Sequence, residues 1–286
     1  MKKKRIVFGL TMLFLGILLA GCQPKQPESS GGALFSWSTG IVADPGRLFQ
    51  VMKEQKLNVL YQNFSRDLDE ESIVSFLSNA EEQGTDVYFL TGDPQWALQP
   101  EGNALCEEVD RMAEINRTLP GKKLKGILID VEPYLLDEWE NGSAQEVMDS
   151  FVAGMKTAYD RAKGYGLEVI VCMPYYFDSK GFERELETLI RSCCDKVAVM
   201  NYYRGKEIEH IETEAALAKK YNRELLSVYE LKAPGTHGLT EKNTYFEEGL
   251  EAVEENFIQL TDAYPDQTIS MALHDFEALE EVLGRE

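Results

Sequence analysis

The segment Leu124-Lys125-Gly126-Ile127-Leu128-Ile129-Asp130-Val131-Glu132-Pro133-Tyr134 ends an apolar run with two carboxylates two residues apart. Side chains alternate along a strand, so Leu128, Asp130 and Glu132 share the inward face while Ile127, Ile129 and Val131 face outward. Carboxylates held that close repel, so the pair retains a proton to unusually high pH, as a general acid near neutrality must. The simpler alternative is a cation or a positive neighbour held at a rim. A further carboxylate, Glu230, ends the run Leu225-Leu226-Ser227-Val228-Tyr229-Glu230. It shares a face with Leu226 and Val228, which a solvated helix glutamate would not; its alternative is a rim ion pair with Lys232. Two carboxyls about 5–5.5 Å apart suit retaining cleavage of a glycosidic bond, and about 6.5–9.5 Å suit inverting cleavage.

Such side chains need a scaffold that brings distant strand ends to one mouth. Apolar strand runs fall at residues 33–37, 57–63, 86–91, 126–132, 168–173, 196–202, 224–230 and 268–274. Between them lie stretches of helical period. Residues 69–83 place Ile73, Phe76, Leu77 and Ala80 on one face, 143–163 repeat Val147, Phe151, Met155 and Ala158, and 245–263 carry Leu250, Val253, Phe257 and Leu260. Gly84, Gly166 and Asn222 stand where such helices stop. Eight apolar strands alternating with helices in about 250 residues predict an α/β fold, a single (β/α)8 TIM barrel. An open doubly wound sheet is the competing architecture, but no G-x-G-x-x-G or Walker-type loop is present. Barrel active sites sit where the strands end. The ends here are polar and aromatic, and predict substrate contacts at Trp37, Asn63, Asp93, Tyr134, Tyr175, Asn201 and His274. Trp96, Trp139, Tyr176, Phe177 and Tyr203 add aromatic surface of the kind that packs on sugar faces.

The chain has 286 residues, 49 acidic and 29 basic, for a formal net charge of −20. That balance excludes a nucleic-acid partner, which needs a basic face to displace counterions. Three histidines are too few for a histidine-rich metal centre, and no H-x-H or H-E-x-x-H occurs to suggest zinc, so no metal ligand is assigned, while oxygen-only carboxylate sites stay open. Lys2, Lys3, Lys4 and Arg5 precede an apolar run from Ile6 to Ala20, closed by Leu19-Ala20-Gly21-Cys22. This resembles a bacterial lipobox. It implies a signal peptide over 1–21, lipidation of Cys22, a flexible Pro/Ser/Gly tether over 22–32 and the barrel over 33–286. The expected location is the extracytoplasmic face of a bacterial membrane, held by the lipid anchor, as a monomer. Without residues 1–21 the chain keeps 25 basic against 49 acidic groups, or −24, which favours neutral or amine-bearing glycans over anionic polymers. Cys106, Cys172, Cys193 and Cys194 lack the spacing of a disulfide or zinc framework and read as buried free thiols.

The run GILIDVEP resembles the fourth-strand signature of chitinase-like, family 18 glycoside hydrolases, roughly D-G-x-D-x-D-x-E. Gly126 and Ile127 match, Asp130 falls on the last aspartate and Glu132 on the catalytic acid. Val199-Met200-Asn201-Tyr202 is similar to the family's sixth-strand M-x-Y-D, with Tyr202 on the tyrosine that steadies the reacting sugar. Lys125 and Leu128 stand where the signature has aspartates, and Tyr203 where the family has the aspartate that helps hold the acetamido group. The resemblance implies a barrel without cofactor in which the substrate's own N-acetyl group attacks. Glu132-Pro133 also resembles the N-E-P of barrel glycosidases with an acid/base after strand four and a nucleophile after strand seven; there Glu230 attacks. Three functions stay open: a glycoside hydrolase of extracellular or cell-wall glycans with Glu132 as acid, a non-catalytic glycan-binding lipoprotein, and a metal-dependent hydrolase or deacetylase using Asp130, Glu132, Glu230 and Asp275.

Overall fold

The computed structural model describes residues 31–119 and 123–285. The expected signal peptide over 1–21, the expected lipidation at Cys22 and the expected tether up to residue 30 lie outside the described residues. Eight parallel strands close on themselves in sequence order: β1 Gly32–Ser36, β2 Leu57–Asn63, β3 Asp86–Thr91, β4 Gly126–Ile129, β5 Glu168–Pro174, β6 Lys196–Met200, β7 Glu224–Glu230 and β8 Ile269–His274. Pairing of Ala33 with Ala272 and Leu34 with Leu273 shuts the barrel. The helices are α1 Gly46–Glu54, α2 Glu70–Glu82, α3 Asn103–Thr118, α4 Ala144–Gly164, α5 Glu183–Ser192, the short α6 Glu207–His210, α7 Glu212–Tyr221, α8 Gly249–Ala263 and α9 Phe276–Leu283. The open-sheet alternative is therefore set aside. No helix of the described residues is long and apolar enough to cross a membrane.

Strand alternation divides the apolar residues into two cores. Ala33, Phe35, Tyr61, Tyr88, Leu90, Leu128, Ile170, Cys172, Ala198, Leu226, Val228 and Ala272 fill the barrel interior. Ile127, Ile129, Val131, Val169, Val171, Val197 and Val199 face the helices instead, where Ile73, Phe76, Leu77, Val147, Phe151 and Met155 meet them. Each such side chain taken fully from water contributes about 1.5–3 kcal/mol. The inner core is a column of rings, with Phe35 on Tyr61 at 5.0 Å and Tyr61 on Tyr88 at 5.6 Å. It plugs the barrel below its upper mouth.

Local signals fix the element ends. Asp69 caps α2 through the Ser72 N–H at 2.8 Å, and Asp275 caps α9 through the Ala278 N–H at 3.2 Å. Asn222 ends α7 with φ 53°, in the left-handed region Asn tolerates. All four cysteines of the barrel are buried and free, as their spacing implied.

Candidate active site

β4 stops at Ile129, three residues before the end the sequence pattern suggested. The Asp130 N–H still reaches the Thr91 carbonyl at 2.9 Å, but Pro133 has no N–H to continue the ladder and opens a 3-10 turn, Pro133–Leu135. Gly92 makes the close approach possible: a Cβ there would lie 1.8 Å from the Asp130 carbonyl oxygen. Asp130 and Glu132 thus keep the inward parity of Leu128 while sitting just above the sheet. The turn after Pro133 folds Tyr134 back so that its hydroxyl donates to Glu132 Oε1.

Both carboxylates open into a cavity of about 600 Å³ at the C-terminal mouth of the barrel, a volume ordinary for a ligand site. Its wall includes Trp37 after β1, Tyr134, Tyr175 and Tyr176 after β5, Met200 at the end of β6 and Tyr202 after it, Glu230 from β7 and His274 from β8. The loop after β7 completes it with Lys232, His237, Leu239 and Asn243. Asn243 ties that loop to the barrel by donating to the Tyr202 carbonyl at 2.7 Å.

The electrostatics differ sharply among the carboxylates. Asp130 Oδ1 is buried and has no hydrogen-bond partner. Burial and then the neighbouring Glu132 charge push the Asp130 carboxyl up to about 7, so the pair is poised to hold one proton near neutrality. Burial and the nearby carboxylates also push the Tyr134 and Tyr202 phenols well above their ordinary value, keeping both as donors. Glu230 is engaged throughout: its Oε1 accepts the Leu231 and Lys232 N–H groups at 3.0 and 2.9 Å, and its Oε2 meets His274 Nδ1 at 3.0 Å. Parallel register sets Glu230 directly beside His274. Lys232, the ion-pair partner expected for Glu230, instead meets Asp275 Oδ2 at 2.8 Å.

The structure brings Trp37, Asp130, Glu132, Tyr134, Tyr175, Tyr202, Glu230 and His274 to one cavity and leaves three expected contacts outside its wall. Asn63 donates to the Leu90 carbonyl at 2.9 Å. Asp93 is exposed and caps a 3-10 turn through the Gln95 N–H at 2.8 Å. Asn201 is buried on the outward face of the barrel wall, donating to the Glu207 carbonyl at 3.0 Å. Of the further aromatics, only Tyr176 lines the cavity; Trp139 packs on Phe177 and Phe182. The loop residues His237, Leu239 and Asn243 escaped sequence reading because they carry no periodicity. Their signal was position alone, since loops after barrel strands build the active face.

Oxygen ligation of a metal fits these residues poorly. Asp275 turns to Lys232 and the α9 N-terminus, and Glu230 spends its oxygens on N–H groups, so the four carboxylates do not converge. Among the described residues, no group of three His, Cys, Asp or Glu side chains is arranged to hold a metal ion.

Neither the protein-family models nor the curated proteins compared with this chain match its sequence. Solved structures do match in fold. A GH18 chitinase from Pseudoalteromonas aurantia aligns with TM-score 0.54 and 10% identity, over 90% of this chain and 98% of that one. A chitinase from Chromobacterium violaceum aligns with TM-score 0.51 and 12% identity, over 90% and 100%. A β-N-acetylhexosaminidase aligns with TM-score 0.56 and 12% identity, over 89% of this chain and 67% of that one. At such identities the likeness is one of fold: the chain is a closed (β/α)8 barrel whose structural neighbours include chitinases and other glycoside hydrolases.

Proposed function

We propose that this protein is a glycoside hydrolase of N-acylated aminosugar glycans, with Glu132 as the general acid and the substrate's own acylamino group as the internal nucleophile. The observation that carries the reading is the asymmetry of the two candidate carboxylate sites. Asp130 and Glu132 both line the cavity, and burial together with the Glu132 charge raises the Asp130 carboxyl to about 7, so the pair can hold a proton near neutrality. Glu230 has its lone pairs committed to two backbone N–H groups and an imidazole, which leaves it poor as an attacking carboxylate. With no free carboxylate opposite Glu132, the nucleophile is best supplied by the substrate, an arrangement known among glycosidases. Glu132 protonates the leaving oxygen, Tyr202 donates to the sugar, and Tyr134 orients the acid. We further place the enzyme on the outer face of a bacterial membrane, through lipidated Cys22, where cell-wall or extracellular glycans are in reach.

The test is hydrolysis of β-1,4-linked N-acetylglucosamine oligomers set beside the matching glucose oligomers, which lack the acylamino group. The expected result is cleavage of the first and none of the second, abolished in Glu132→Gln and reduced less than about tenfold in Glu230→Gln. A Glu230→Gln variant as inert as Glu132→Gln would instead establish Glu230 as nucleophile. Saturable binding of the oligomers without bond cleavage would make the protein a glycan-binding lipoprotein.

A further inference from the structure

Trp37, His274 and Glu230 form a hydrogen-bonded chain across the seam where β1, β8 and β7 meet. Trp37 Nε1 lies 3.2 Å from His274 Nε2, and His274 Nδ1 lies 3.0 Å from Glu230 Oε2. The far oxygen of Glu230 is fixed by the Leu231 and Lys232 N–H groups, so the chain is anchored in the backbone. An indole nitrogen can only donate. His274 Nε2 must therefore present a lone pair, which requires a neutral imidazole with its proton on Nδ1, donated to Glu230. A protonated ring would set two N–H groups against each other at the indole.

We propose that Glu230 and His274 are positioning residues that hold the Trp37 indole as the sugar platform of the cavity while the imidazole is neutral, and that protonation of His274 releases it. The sugar rests on the glycan reading above; the coupling of imidazole to indole belongs to the ligand-free protein. Trp37 directly follows the first strand and both of its supports lie on the last two, so the platform exists only because the barrel closes.

The groups facing His274 place the switch. From the β7 side come Glu230 and Lys232, the latter neutralised locally by Asp275, which follows His274 in the chain. Asp130, just past β4, interacts with it electrostatically; Tyr202, just past β6, lies with ring centroids 6.2 Å apart, and Phe35 of β1 at 5.3 Å. Burial works to lower the imidazole's affinity for a proton, but the hydrogen bond and charge of Glu230 outweigh it and hold His274 above the ordinary histidine value. The indole N–H opposes protonation, and release of Trp37 proceeds as pH falls through the titration of the imidazole.

The experiment follows the indole ¹⁵N–H resonances of the ligand-free protein against pH, with the Trp37 signal identified by its loss in Trp37→Phe. The Trp37 resonance is expected to show a titration step that Trp96 and Trp139 do not share. Glu230→Gln keeps an oxygen acceptor for Nδ1 but removes its charge, and should move the step down by about one pH unit or more. His274→Gln should abolish it. A Trp37 signal that stays flat, or a step unmoved in Glu230→Gln, overturns the coupling. With β-1,4-linked N-acetylglucosamine oligomers as probe, KM should rise about three- to tenfold below the step and stay level with pH in His274→Gln; a KM indifferent to the step overturns the platform role. Failure of wild type to bind the probe at any pH sinks the glycan reading, and the resonance step still decides the coupling.

Discussion

The two mouths of this barrel are built from the same residue types and reach opposite electrostatic outcomes. At the N-terminal mouth, Lys196 sits between Glu168 and Glu224, at 3.2 and 3.0 Å, and Tyr88 donates to Glu168 from the inner core. Lys125 and Asp86 add a looser pair at 3.5 Å. Each of these acids has a cation beside it. At the C-terminal mouth, Asp130 and Glu132 share one face, neither is in an ion pair among the described residues, and Lys232 is taken by Asp275. Charge satisfied at strand starts stabilises the fold; charge left unsatisfied at strand ends stores the proton that catalysis would use.

That contrast can be broken experimentally, starting where the effect should be largest. Glu132→Gln should cost about 10²–10⁴ in kcat on a cleavable aminosugar oligomer while leaving the thermal midpoint nearly unchanged; a comparable loss of stability would mean that the upper mouth is structural too. Asp130→Asn should lower kcat by about 10–100-fold and remove the limb of the pH–rate profile near 7, where wild-type activity falls as the pair loses its proton. The same variant tests the stability side. The folded Asp130 carboxyl is raised from 3.8 to about 7, so its contribution is fully present below the unfolded value and lost as pH rises through the folded one. Urea unfolding at pH 8 should therefore find Asp130→Asn more stable than wild type by about 1–3 kcal/mol, with the difference vanishing in acid.

At the other mouth, Lys196→Met strands two acids and should destabilise the fold by about 1–3 kcal/mol, with activity per folded molecule intact. Denaturant midpoints and kcat measured on the same samples would check it. The smallest change is expected from Tyr134→Phe, which removes the hydroxyl that orients Glu132 and should lower kcat by about three- to tenfold with little effect on KM. If the loss appears in KM instead, Tyr134 is a binding surface rather than a support for the acid.

Much of the scaffold is legible in the residues because it obeys local rules. Leu57–Asn63, Asp86–Thr91 and Glu224–Glu230 are strands over the full span that their apolar runs suggest. The start of α8 is not legible. The helical pattern begins at Tyr245, but the Tyr245 N–H is held by the Glu230 carbonyl at 2.9 Å and its hydroxyl donates to Glu207, so the helix waits until Gly249. A partner many residues away overrides local periodicity there. The site divides along the same line. Alternation alone sends Asp130, Glu132, Glu230 and His274 to the mouth, and each lines the cavity. Asn201 misleads because a polar residue beside a strand end looks the same from sequence whether it turns into the mouth or into the wall.

The sequence by itself determined the alternation of strands and helices, the inward parity of the acid pair and the apolar column beneath it, all consequences of side-chain period and turn chemistry within short segments. Tertiary structure decided which charges find partners. The register that seats His274 beside Glu230, the turn of Lys232 toward Asp275 and the lone oxygen of Asp130 depend on where eight strand ends meet. Hydrogen bonds and ion pairs act over a few ångströms between residues far apart in the chain, and only barrel closure sets those distances.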